Sequence, residues 1–265
     1  MIIKPGGSER GWSYWSSVSA CPLAHWRKYH ENEYVPHFPD PGTEKKPEAR
    51  MIGTIFGAFR EQNARKLEGP LRFENQRLAL EDYPYEYAEA ARCDDAYRNA
   101  YPSLDICAAE LELVATSEQL AFYGVPTLTG RADAIVRWPG GELGPNMAWA
   151  APGLYMWDYK TSDKRDETKL LNMYRTQMLL YQELYNATHD EPVIGAVLDV
   201  VAKTKPVQCF RLMVPRPVEQ DKINIAETLS LAYVLREQHG QQRNITGCPG
   251  KFGRACQYYT RCWGT

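Results

Sequence analysis

The apolar pattern of this chain changes period partway along, and that change restricts its fold more than any other feature. Over about residues 47–68, Met51, Ile52, Ile55, Phe56 and Phe59 recur at helical spacing. Residues 85–101 read as a second helix. Segments 110–115, 127–136 and 155–160 then follow strand patterning, with Pro139-Gly140-Gly141 and Gly144-Pro145 marking a loop before the last of them. Segment 168–186 returns to helical spacing, 193–202 and 208–214 read as strands around a turn at Lys205-Pro206, and 218–241 reads as a final helix. This order predicts a mixed α/β fold with one central sheet flanked by helices. Near the start, Ser19 is positioned to cap a helix over 21–30, and the proline-rich, charged stretch 31–48 reads as a surface connection.

The 265 residues suffice for one large domain or two small ones. The 44% hydrophobic and 24% charged content is that of a globular protein, which excludes disordered and collagen-like classes. Lys and Arg (31) nearly balance Asp and Glu (33), so net charge gives no pointer to nucleic acid and no exclusion of it. No apolar run reaches the length of a membrane span, and Met1-Ile2-Ile3-Lys4-Pro5 lacks a signal-peptide core. A cytoplasmic protein without a membrane partner is the expectation. Seven cysteines, an odd number in a chain without an export signal, point away from a disulfide framework and towards metal or cluster ligation.

Chemistry concentrates in Gly130-Arg131-Ala132-Asp133 and Trp157-Asp158-Tyr159-Lys160-Thr161-Ser162. Asp158 and Lys160 are two apart on a strand and share a face. Two carboxylates, with a backbone carbonyl such as that of Tyr159, suit Mg²⁺ or Mn²⁺, which take oxygen ligands and keep several waters. A lysine beside them could steer a water or stabilise a developing oxyanion. Gln177 and Tyr181 are four apart on the following helix and share a face, extended by Tyr174. Taken alone, Asp158-Tyr159-Lys160 reads more simply as an exposed ion pair at a strand end, and Gln177 and Tyr181 as residues at the core edge.

In combination these motifs resemble those of the PD-(D/E)XK nuclease superfamily, and most closely its RecB-like exonuclease branch, which includes CRISPR-associated and phage enzymes. The resemblance implies a restriction-endonuclease-like core of αβββαβ order. It implies Asp133 and Asp158 as metal ligands, Lys160 as the residue assisting attack of water on a phosphodiester, and Gln177 and Tyr181 as support. One departure stands out. Where the family commonly carries Gly-x-x-x-His on its first long helix, this chain has Gly53-Thr54-Ile55-Phe56-Gly57. Glu61, one turn further on, and Glu112, on the strand before Gly130, are candidate replacement ligands. Glu110 has the same strand parity as Glu112 and is not separable from it by sequence.

Cys21 lies near one end of the chain, and Cys248, Cys256 and Cys262 lie near the other. Four thiolates suit a structural Zn²⁺ or an iron–sulfur cluster. Their spacing fits paired zinc knuckles poorly. The arrangement is similar to that of iron–sulfur RecB-like nucleases, which implies a [4Fe–4S] cluster tying residues 1–46 and 242–265 to a 47–241 core within a single domain. Zinc and free thiols remain the alternatives. Cys93, Cys107 and Cys209 read as small buried hydrophobes.

Arg131, Lys164, Arg165, Lys203 and Lys205 are candidate phosphate binders, and Trp12, Tyr14, Trp15, Tyr258 and Tyr259 are candidates for stacking on bases. The expected activity is metal-dependent exonucleolytic hydrolysis of DNA, single-stranded or at free ends, in a bacterial or phage-infected cell. Recombination, repair, phage replication and CRISPR adaptation are all compatible settings. A homo-oligomer and replication or recombination proteins are compatible partners. The alternatives are a weak or inactive nucleic-acid-binding protein on the same fold, and a zinc-bound structural protein.

Overall fold

Ile52, Ile55, Phe56 and Ala58 are buried along one side of the first described helix, α1 (Ala49–Ala64), as their spacing requires. The computed structural model describes Trp15 and residues 49–68, 71–73, 76–77, 83–101, 103–116, 118–124, 127–144 and 148–237. The expected helix at 21–30, the connection at 31–48 and all four candidate cluster cysteines lie outside the described residues.

After α1 come a short pair of strands, β1 (Arg72–Phe73) and β2 (Gln76–Arg77), and helix α2 (Pro84–Ala100). Strands β3 (Ile106–Thr116) and β4 (Thr127–Trp138) follow, with a 3₁₀ turn at Ala121–Tyr123 between them. Then come β5 (Gly141–Glu142), β6 (Trp149–Ala150), β7 (Gly153–Ser162), helix α3 (Glu167–Asn186), β8 (Val193–Ala202), β9 (Gln208–Pro215) and helix α4 (Glu219–Glu237). The main sheet runs β3-β4-β7-β8-β9. β4 is antiparallel to β7, β7 parallel to β8, and β8 antiparallel to β9, so the sheet is mixed. Helix α3 forms the crossover that the parallel β7–β8 pair needs.

The chain divides into two compact units. One comprises residues 43–113 and 131–217. In it, alternate residues of the central strands feed opposite faces of the sheet. Tyr159 and Val201 join Ile52, Ile55, Phe56 and Tyr97 from α1 and α2. Leu198, Val200 and Ala202 join Leu170 and Tyr174 of α3 with Phe210 and Leu212 of β9. β8 is thus covered on both sides, which explains its near-continuous apolar sequence. The other unit comprises residues 1–42, 114–130 and 218–265. Among its described residues, Leu120, Tyr123, Ile225, Leu229 and Ala232 are buried, and Trp15 packs against Tyr233 with ring centroids 6.2 Å apart.

Three expectations need correction. The segment after Trp138 is not wholly loop: Gly141–Glu142 pairs with Trp149–Ala150, with Gly140 and Gly141 at φ of 96° and 114°. Helix α1 stops at Ala64, before Gly69-Pro70, and Lys66 takes a left-handed φ of 51°. Cys107 is exposed, because it alternates outward from Ile106 on β3, an edge strand. Cys93 is buried and Cys209 partly so.

Candidate active site

The site forms where β4 and β7 part. Their ladder runs from Trp138↔Gly153 to Ala134↔Trp157. Beyond that pair, the Asp133 side chain takes over: its Oδ2 accepts the Tyr159 backbone N–H at 2.8 Å. A carboxylate thereby satisfies an amide that the ladder leaves open, and Asp133 is fixed beside the Asp158-Tyr159-Lys160 backbone. Ala132 and Ala134, buried on either side of Asp133, hold its strand in the sheet.

Asp158 is buried at 4% exposure and forms an ion pair with Lys160. The ion pair is made by Asp158 Oδ2, which lies out of contact with solvent. The Lys160 Nζ also donates to the Tyr159 carbonyl at 3.3 Å and lies 5.3 Å from the centre of the Tyr174 ring. Burial, and then the Asp158 charge, push the Asp133 carboxyl up to about 6. Burial opposes the Lys160 ammonium, yet Asp158 and Asp133 more than offset this and hold its pKa above the ordinary value.

On helix α3, burial raises the pKa of the Tyr181 phenol, Gln177 one turn away works against this, and the phenol lies in the field of Asp158, Lys160 and Asp133. Helix α1 contributes Gly53, Gly57 and Glu61, spaced four apart on one face. Gly53 approaches β7 closely: a Cβ there would lie 3.3 Å from Thr161 Oγ1. At Gly57 a Cβ would meet nothing within 4 Å. These elements enclose a cleft of about 480 Å³ whose lining includes Gly57, Glu61, Glu110, Asp133, Tyr159 and Lys160.

Glu112 and Arg131 also line this cleft. Glu112 is exposed, whereas Glu110 is mostly covered and pairs with Arg131 at 3.0 Å. Glu61 pairs with Arg65 at 3.2 Å. Lys203 and Lys205 are not part of the cleft lining; Lys203 is largely covered and pairs with Asp163 at 2.9 Å, while Lys205 is exposed. Trp15 is 1% exposed, so its ring is a core group rather than a base-stacking platform.

Oxygen donors from Asp133, Asp158 and the Tyr159 carbonyl suit a hard divalent cation. Among the described residues no three His, Cys, Asp or Glu side chains converge as a ready-made ligand set. The ion pairs account for this: Asp158, Glu110 and Glu61 each turn towards a basic partner.

Sequence reasoning missed a buried network on the far side of β7. Asp199 Oδ2 accepts hydrogen bonds from Tyr97 Oη (2.7 Å), Trp157 Nε1 (2.7 Å) and Arg211 Nε (2.9 Å). The Arg211 guanidinium stacks 3.7 Å from the Tyr101 ring centre. Asp199 stands opposite both Tyr159 and Arg211 in the sheet, a relation that only strand register supplies.

The central strands β4 and β7 thus carry Asp133 and Asp158-x-Lys160, and the crossover helix α3 carries Gln177 and Tyr181. The profile of the PD-(D/E)XK nuclease superfamily matches residues 13–263, and the chain belongs to that superfamily. In structure it is similar to a Eubacterium rectale protein assigned as an exonuclease, with a TM-score of 0.55 over 90% of this chain and 85% of that one. Sequence identity between the two is 11%, so this likeness is one of fold. No curated protein matches the chain.

Proposed function

We propose that the chain is a metal-dependent DNA exonuclease of the RecB-like branch, acting on single strands or free ends. The observation that carries this reading is the buried Asp158–Lys160 pair beside Asp133, with Lys160 and Asp133 lining a cleft. Asp133 and Asp158 would hold Mg²⁺ or Mn²⁺, with the Tyr159 carbonyl as a further donor. A cation held there would lower the pKa of a bound water and neutralise charge building on the phosphoryl group. Lys160 Nζ presents donors to the attacking water or to the developing oxyanion. Gln177 and Tyr181 orient the lysine side of the site, and Arg131 supplies positive charge for a phosphate. Glu61 and Glu112 remain candidate ligands from the cleft wall. Lys203 and Lys205, outside that wall, are candidates for more distant phosphates only.

Cys21, Cys248, Cys256 and Cys262 all fall within the region matched by the superfamily profile, 13–263. In this reading they ligate a [4Fe–4S] cluster that closes the ends of the chain on the nuclease core as one domain. Zn²⁺ is the alternative occupant.

Gly57 favours a second reading: the helix face that would carry the family histidine has no side chain there. On that reading the protein binds nucleic acid without cutting it. End-labelled and circular single-stranded DNA, each incubated with Mn²⁺, separate the two. Loss of the linear substrate with circles spared supports the exonuclease. Cleavage of both indicates an endonuclease, and binding without cleavage supports the second reading.

A further inference from the structure

Glu110 sits where β3 departs from regular alternation. Towards the end of the strand, Leu113 and Ala115 are buried between the exposed Glu112, Val114 and Thr116. At its start the parity is reversed, with Ile106 more covered than Cys107. Between these stretches Glu110 has a φ of 50°, a left-handed conformation that side chains other than glycine rarely adopt. Such strain persists only where surrounding structure imposes it. Here it accompanies delivery of the Glu110 carboxylate into the cleft.

There Glu110 Oε2 meets Arg131 Nε at 3.0 Å, with side-chain exposures of 18% and 43%. Arg131 is two residues before Asp133 on β4, so the two share a side of the strand. Glu110 lies in the fields of Asp133 and Glu61 as well as those of Arg131 and Arg65. A covered carboxylate in the field of Asp133 thus pairs with a partly exposed guanidinium of the cleft lining.

Resting on the metal-dependent reading above, we infer that Glu110 and Arg131 form a latch between cation and substrate binding. Without a divalent cation, Glu110 holds Arg131. When Glu110 turns to a cation beside Asp133, the guanidinium loses this carboxylate's charge and attracts a phosphate of single-stranded DNA more strongly. Cation and DNA binding are then coupled, and the coupling is reciprocal.

The test uses the full chain, Mn²⁺ and a fluorescent oligothymidine. Mn²⁺ affinity is read without DNA, from the electron paramagnetic resonance signal of the free ion. In an otherwise wild-type chain, Arg131→Ala is expected to tighten Mn²⁺ binding about tenfold, within the usual range of coupled sites. In a Glu110→Gln background the same substitution is expected to change it less than about twofold. In EDTA, Glu110→Gln is expected to tighten oligothymidine binding about tenfold, read as fluorescence anisotropy. An equal Arg131→Ala effect in both backgrounds overturns the latch, because Arg131 would then act only by general repulsion. Unchanged metal-free DNA binding in Glu110→Gln overturns it as well. Glu110→Gly, which relieves the left-handed backbone, removes the carboxylate by a second route should the glutamine variant misfold. Neither readout needs turnover. Coupling without cleavage upholds the latch and sinks the nuclease reading; cleavage with additive effects does the reverse.

Discussion

Asp133 Oδ2 accepts the backbone N–H of Tyr159 at 2.8 Å, one step beyond the last ladder pair of β4 and β7. A single side chain therefore closes the hydrogen bonding of the sheet and presents a carboxylate to the cleft. The two roles can be separated by mutation. Asp133→Ala leaves the amide unpaired and is expected to cost about 1–3 kcal/mol in urea unfolding. Asp133→Asn keeps an acceptor oxygen and is expected to be at least as stable as wild type in EDTA, because burial and Asp158 disfavour the native charge. Both variants are expected to lose metal-dependent cleavage. An Asn variant as unstable as Ala would contradict this division of roles.

Asp199 and Arg211 are buried at 0% and 4% exposure behind the strand that carries Asp158 and Lys160. Breaking one side of such a pair strands a charge in the core. Arg211→Ala is expected to destabilise the protein by about 3–5 kcal/mol, measured by denaturant unfolding. A loss below about 1 kcal/mol, typical of a surface pair, would show that the network is not closed to solvent.

The main frame of the fold was legible in the sequence for a physical reason. β8 carries apolar residues on both faces, so its extent, Val193–Ala202, can be read without knowing its neighbours. Asp158 and Lys160 come to one side because strand parity alone decides it. Glu110 and Glu112 defeated the same arithmetic, since parity assumes a regular strand and nothing in a glutamate announces a φ of 50°. Asp199 was hidden inside an apolar run, and its partner Arg211 lies on another strand whose register sequence patterning does not supply. Cys107 was misread because a short apolar segment looks alike on an edge strand and in the core.

Gly53 and Gly57 occupy the same helix face but have different surroundings. Gly57→Ala meets open space and is expected to stabilise the protein by about 0.5–1 kcal/mol through helix propensity. Gly53→Ala brings a methyl group to 3.3 Å from Thr161 Oγ1, so its gain is expected to be smaller or absent. Equal gains in chemical denaturation would mean that α1 does not approach β7 as closely as described.

Burial pushes the thiols of Cys93 and Cys209 up to about 11. At neutral pH they stay protonated and are poor nucleophiles, and their alkylation should accelerate only as the pH approaches that value. Exposed Cys107 is expected to react with iodoacetamide first, as read by peptide mapping. If Cys21, Cys248, Cys256 and Cys262 ligate a cluster, they are protected together. Anaerobically purified protein is then brown, absorbs broadly near ~400 nm and holds about four irons per chain. Colourless, iron-free protein with these four alkylated rapidly would exclude the cluster.

The most direct test of the central claim is degradation of an end-labelled single-stranded oligonucleotide in Mn²⁺ by the wild-type chain and by Lys160→Ala. Steady shortening by wild type, with a loss of at least about a hundredfold in the variant, is the expected result for a residue that stabilises developing charge. Equal rates for the two proteins, or no cleavage by either while the oligonucleotide is bound, would contradict a catalytic role for the Asp133, Asp158 and Lys160 site.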